Sequence, residues 1–260
     1  MASFESGGAR PSSAHTYDPE AYGRDQADGY DERVRSELDP GPAVERLVAL
    51  AEGGPVLELG IGTGRLALPL ARRGVPVHGV DASPEMVVGL RAKPGGADLP
   101  VTIGDFADVD ATVEGGFSLV LLAVNTIYAL PDQEAQVRCF ANAAHHLRPG
   151  GRFVVEGWLP DLASFHRNRT TRFRQREERA VTIEVVELDP VAQRMSVTSV
   201  RLEDGSVRVT PLEHRYAWPA ELDLMARLAG LELESRCADW SGTPATGESG
   251  GTVSVWRRAS

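Results

Sequence analysis

The stretch Val56-Leu-Glu-Leu-Gly-Ile-Gly-Thr-Gly-Arg65, followed by Val80-Asp81-Ala-Ser-Pro84, decides the architecture of this chain. An apolar run carries Glu58, a glycine turn follows, and a second apolar run ends in an acid. Glycine lets backbone approach a ligand closely, and a helix opening at Thr63 or Gly64 points free N–H groups at that ligand. Asp81 stands 21 residues after Gly60. Sheets that bind adenosine place there the carboxylate that accepts both ribose hydroxyls. The pattern predicts a Rossmann-like sheet with a nucleoside-type ligand at the end of its first strand.

Two details narrow the ligand. In the dinucleotide spelling G-x-G-x-x-G the third glycine falls at residue 65, but here residue 65 is Arg and the glycine is Gly64. Glu58 also stands just ahead of the turn, where a carboxylate repels a pyrophosphate and welcomes the α-ammonium of an amino acid. An adenosine with an amino-acid tail and no phosphate is S-adenosylmethionine (SAM). The E-x-G-x-G-x-G spelling resembles motif I of class I SAM-dependent methyltransferases. The phrases His146-Leu-Arg-Pro-Gly-Gly-Arg-Phe-Val-Val-Glu156 and Tyr216-Ala-Trp-Pro-Ala-Glu221 are similar to a bacterial small-molecule subgroup. The layout is similar to aminosugar N,N-dimethyltransferases of antibiotic pathways. Those sugar enzymes carry a histidine after the fourth strand, whereas this chain reads Asn125-Thr-Ile-Tyr128-Ala129. Tyr128 with Trp158 suits a flatter, aromatic acceptor.

Composition sets the outer bounds. With 260 residues, 42% hydrophobic and 25% charged, the chain has the makings of one globular domain with an elaboration. A net charge of −10 argues against nucleic acid as a partner, since phosphate binding calls for clustered Lys and Arg. Cys139 and Cys237 fit neither a metal nor a disulfide spacing, and no metal is implied. No apolar stretch approaches the ~18 residues of a membrane span, and no signal segment is evident. The expectation is a cytoplasmic protein without a membrane partner.

Strands and helices alternate after a Gly/Ser/Pro-rich tail over residues 1–16. Apolar runs at 56–59, 77–80, 101–103, 117–124 and 152–156 read as strands. Helical patterns at 65–73, 84–92 and 133–147 separate them, which implies a mostly parallel, seven-stranded α/β sheet flanked by helices. After Trp158 the period drops to two over 180–188, 194–202 and 206–217, an antiparallel β insert ahead of the helix at 219–229. The expected division is a methyltransferase domain over 17–157 and 219–260, with residues 158–218 as a strand-rich acceptor-binding insert.

The resemblance distributes roles over the strand ends. The cofactor set is Glu58, Gly60, Gly62, Thr63, Gly64 and Arg65 around the first turn, Asp81 and Ala82 after the second strand, and Met86 against the adenine. Gly104, Asp105 and Phe106 follow the third strand, with the acid on the adenine amino group; Asp105 also suits a helix cap. Asn125 closes the fourth strand, and Tyr17 and Tyr22 lie in an N-terminal segment that such enzymes close over SAM. Glu156 ends the fifth strand as first candidate for a proton acceptor, with His166, Tyr128 and His214 behind it. Arg172, Arg174 and Arg176 alternate along one strand, as sheet-edge protection or as forks for an anionic acceptor. That strand, or an exposed insert edge, offers a homodimer surface.

The expected activity is in-line transfer of the SAM methyl to N, O or an electron-rich C of a small-molecule acceptor, leaving S-adenosylhomocysteine. It fits bacterial specialised metabolism. A catalytically silent SAM-binding regulator and an NAD-dependent reductase are the alternatives, and Arg65 speaks against the second.

Overall fold

In the computed structural model, residues 17–26, 31, 39–176 and 179–259 are described. The Tyr22 side chain lies outside that set. Two sheets carry the architecture. The larger runs in the order β10-β11-β5-β4-β1-β2-β3, with β1 Val56–Leu59, β2 Val77–Asp81, β3 Val101–Ile103, β4 Phe117–Leu122, β5 Leu147–Trp158, β10 Leu231–Cys237 and β11 Gly251–Arg258. Strands β1 to β5 pair in parallel, and β11 runs antiparallel to both β5 and β10.

Alternation explains why the central strands are apolar throughout. Leu57, Val120, Leu122, Phe153 and Val155 join one core cluster with the helices Gln133–His146 and Pro219–Leu228. Val56, Leu119, Leu121 and Val154 join the other, against Gly41–Ala51 and Ala67–Arg72. A strand buried on both faces has no polar side to show. Each fully buried Leu contributes roughly 2 kcal/mol of transfer free energy, so the centre of the sheet is rigid and its strand ends are well placed to carry chemistry.

The smaller sheet is antiparallel: β6 Arg169–Arg176, β7 Ala180–Asp189, β8 Arg194–Glu203 and β9 Ser206–Arg215. It hangs between β5 and the helix Pro219–Leu228. Its inner face (Val186, Leu188, Met195, Val197) packs with Tyr216, Trp158 and Phe165. A buried polar joint fixes it to the larger unit. Arg215 donates to Glu221 at 2.6 Å and to Gln136 at 2.5 Å, and Gln193 donates to Glu221 at 2.7 Å.

Three expectations are corrected. The helix expected from residue 65, with its opening at Thr63 or Gly64, begins at Ala67. Gly62 (φ +53°) and Gly64 (φ +83°) are left-handed and hold residues 62–66 in turns. The insert has four strands rather than three, because the arginine run forms the edge strand β6. A bulge between Phe173 and Gln175 then breaks the arginine alternation. Arg172 faces inward and meets Glu184 at 2.7 Å, whereas Arg176 pairs with Val181 on the opposite face.

Candidate active site

The carboxyl ends of β1, β2, β3, β4 and β5 meet along one edge of the large sheet, where open parallel sheets bind their ligands. At the end of β1 the Gly60 N–H donates to Val80 O at 2.8 Å, locking the turn onto β2. Gly60 has φ +73°, and a Cβ there would stand 2.7 Å from Thr126 Cγ2. Only glycine fits. A Cβ on Gly62, by contrast, would meet nothing within 4 Å, so this part of the turn faces open space.

Glu58 lies beneath that turn, 4% exposed, and its Oε2 has no hydrogen-bond partner among the described residues. Burial pushes its carboxyl up to about 8, against the pull of the Arg65 guanidinium and the Ala67 N–H, with Asp81 adding to the rise. An unpartnered buried carboxylate oxygen is costly by itself. An ammonium group would satisfy it, whereas a phosphate would not. Asp81 is aimed by two backbone donors, Gly62 N–H at 2.7 Å and Ser83 N–H at 2.9 Å. Burial raises its carboxyl above the usual range, those N–H groups pulling the other way. Ala82 is buried beside it. Ser83 caps the helix Pro84–Arg91 through the Met86 N–H at 3.2 Å, and Met86 is buried.

After β3, the Gly104 N–H donates to Asp81 O at 3.0 Å, and Asp105 Oδ1 accepts from Ala107 N–H at 2.9 Å. Tyr17 packs against the core, and burial first, then the charge of the nearby Asp105, raises its phenol above the ordinary range. Phe106 is buried in the core. Thr63 Oγ1 donates to Asp31 at 2.6 Å, and Lys93 bridges Asp31 (2.6 Å) and Thr63 O (2.7 Å). Nothing local in the sequence marks Lys93 or Asp31, since the pairing lies across folded segments.

The β4 end is strained. Val124 (φ +50°) and Asn125 (φ +63°) are consecutive left-handed residues without a glycine. Each such conformation costs on the order of 1–3 kcal/mol, and a β-branched Val is the worse case. Glu156 and Asn125 offset this strain. Glu156 Oε2 accepts from Val124 N–H at 2.8 Å, and its Oε1 accepts from Trp240 Nε1 at 2.8 Å. Asn125 Oδ1 accepts from Trp158 N–H at 2.7 Å. Glu156 therefore braces the β4–β5 end with both oxygens engaged. Trp240 was missed in the sequence because nothing local marks it.

The remaining candidates separate. Tyr128 is buried, and its hydroxyl lies 3.1 Å from Trp158 O and 3.2 Å from Ala217 O. Burial, with the Glu221 charge behind it, raises the phenol above its ordinary range. Its ring meets Trp158 edge-on, centroids 5.2 Å apart. His214 sits on the inner face of β9 with its ring 6.3 Å from Trp158. Its Nδ1 is enclosed without a partner among the described residues, and burial lowers the imidazole to about 4. His166 is exposed and lines a cavity of about 790 Å³ on the insert together with Arg167, Arg169, Arg194 and Glu187. None of the residues lining that cavity ends a strand of the large sheet.

Comparison with known proteins agrees with this geometry. Residues 56–151 match the methyltransferase domain family. The cypemycin N-terminal methyltransferase of a Streptomyces species is 32% identical over 241 residues, which is 89% of this chain and 95% of that protein. The CcbJ methyltransferase from Streptomyces caelestis is 40% identical and superposes with a TM-score of 0.85, over 94% of this chain and 100% of that one. CalS10, an amino pentose methyltransferase from Micromonospora echinaspora, shares the fold at 21% identity and a TM-score of 0.67, over 90% of this chain and 97% of that one.

The chain belongs to the class I SAM-dependent methyltransferases. It is an enzyme with SAM as methyl donor, and the regulator and reductase alternatives fall. Among the described residues no helix is long and apolar enough to cross a membrane.

Proposed function

We propose that this methyltransferase acts on the nitrogen of a small-molecule amine in bacterial specialised metabolism. The observation that carries the reading is the state of the proton acceptors. Glu156 and Tyr128, the groups best placed by sequence to deprotonate an alcohol or phenol, are both tied up as braces. His214 keeps a free nitrogen but stays neutral down to about pH 4, too weak a base to activate a hydroxyl. An amine bound as its free base needs no such help, because its lone pair is already available. Two of the relatives, an N-terminal and an amino pentose methyltransferase, point the same way.

SAM supplies a methyl group already activated on a sulfonium. On this reading the unpartnered Glu58 oxygen holds its ammonium, and the two oriented oxygens of Asp81 take the ribose hydroxyls. Gly60, Gly62 and Gly64 let the backbone come close, while Arg65 and Thr63 shape the turn. Asp105 takes the adenine amino group, Tyr17 lies near it, and Met86, Ala82, Gly104 and Phe106 wall the ring. His214 Nδ1, in the tautomer with its proton on Nε2, accepts a hydrogen bond from the acceptor N–H and turns the lone pair toward the methyl. Trp158 and Tyr216 form the aromatic wall beside it, and the strained Asn125 turn fixes Trp158. Residues 17–157 and 219–260 then serve the cofactor, and 158–218 choose the acceptor.

The test is incubation with labelled SAM and matched amine, alcohol and phenol versions of the same aromatic and aliphatic skeletons. Transfer to the amines alone is expected. Transfer to hydroxyls in preference to amines would refute the proposal.

A further inference from the structure

In its half far from the core, the insert sheet carries its apolar side chains on the outer face. Strand pairing places Phe173, Ile183, Val200 and Val209 in one row on the outer face, and Val181, Leu202 and Val207 in the next, which Arg176 closes at the β6 edge. Phe173 is 77% exposed, Val207 64% and Val209 58%. The residues between them, Arg172, Arg201 and Arg208, point to the inner face. A strand with one buried side specifies its register through the side that is covered. In the half of this sheet far from the core, that side is the open one.

We infer that the outer face of β6–β9 packs against the same face of a second copy of this chain, sheet on sheet. The two-fold axis runs parallel to the strands, so that β6 of one copy lies over β9 of the other. Self-complementary charge selects this arrangement. The row nearest the core that spans all four strands reads Arg169, Glu187, Ser196, Glu213, with Arg169 paired to Glu187 and Ser196 donating to Glu213 within the chain, each at 2.8 Å. Turned about that axis, Arg169 stands over the partner's Glu213, and Glu213 over the partner's Arg169. The other in-plane axis, across the strands, would set the arginine-bearing β6 against itself. Edge pairing is disfavoured for the same reason, since β6 presents arginines along the edge.

The area fits a reversible dimer. Four strands at ~4.8 Å and four rows at ~6.8 Å give about 500 Å² per copy, or about 1,000 Å² in all, near the lower limit for a specific interface. Two such sheets stack about 10 Å apart, the spacing of a β-sandwich. The row of Phe173 and Val209 forms the dry centre, and the Arg169–Glu213 contacts form the rim.

Sedimentation equilibrium of the full chain tests this. The wild type is expected to dimerise with a dissociation constant on the order of 10 μM, and Val209→Asp to weaken that at least ~100-fold. Val209 is exposed in the single chain, so the substitution leaves the fold and the affinity for S-adenosylhomocysteine unchanged. Arg169→Glu should weaken the dimer, and adding Glu213→Arg should restore it. A wild type monomeric at ~200 μM would assign the face to another partner and overturn the inference. So would a Val209→Asp protein that dimerises like wild type, or a charge swap that fails to restore association.

Discussion

Replacing Glu58 by Gln should make the ligand-free enzyme more stable at neutral pH while impairing its hold on the cofactor. In the unfolded chain Glu58 ionises near 4.5, and in the fold burial holds the proton up to about 8. Between those values folding takes up a proton, so the contribution of Glu58 is complete below 4.5 and is lost as pH rises toward 8. One pH unit corresponds to about 1.4 kcal/mol, which makes the loss roughly 3 kcal/mol by pH 7. Gln has nearly the same shape and does not titrate. Urea unfolding of both proteins across pH 4.5 to 8 should show a difference that grows with this slope. The offset at the acid end removes the unpaired polar group that both share. Saturating S-adenosylhomocysteine should reverse the order, because its ammonium favours the ionised form that Gln cannot adopt. Parallel pH curves for the two proteins would refute the assignment of a proton to buried Glu58.

The imidazole of His214 works in the opposite sense. Its folded value of about 4 lies below the ordinary 6.5, so its contribution is present above 6.5 and is lost as pH falls toward 4. The loss amounts to up to about 3 kcal/mol, and His214→Phe should flatten this acid limb in thermal unfolding. Trp240→Phe removes the donor to Glu156 Oε1 and should lower stability by roughly 1–3 kcal/mol. Because Val124 and Asn125 lose part of their brace, methyl transfer should fall more than cofactor affinity, which paired kinetic and calorimetric measurements would separate. Gly60→Ala meets both a left-handed φ and Thr126 Cγ2, and should cost more than ~1 kcal/mol in urea unfolding.

The cofactor end was legible because its signals are local. Period and residue type place β1, the glycine turn and β2, and the spelling around Glu58 marks the family. The helix start was misplaced by two to four residues because two positive-φ glycines keep the chain in turns after the strand. The acceptor side was less legible because its contacts join distant segments. Nothing near Glu156 shows that Trp240 binds it 84 residues later, or that its partner oxygen supports a left-handed Val124. The bulge in β6 also escapes a reading by alternation, since two residues on one strand oppose one on the next.

The Tyr128 hydroxyl has a consequence for how such enzymes diversify. It touches Trp158 O and Ala217 O, the points where the chain leaves the large sheet for the insert and where it returns. One phenol thus clasps both stems of a long excursion and closes it at the base. A segment closed in this way can change in length and sequence between its stems while the cofactor half keeps its register. Chimeras that exchange everything between the two clasped carbonyls, and leave Tyr128 in place, are therefore the natural units for testing whether that segment sets acceptor choice.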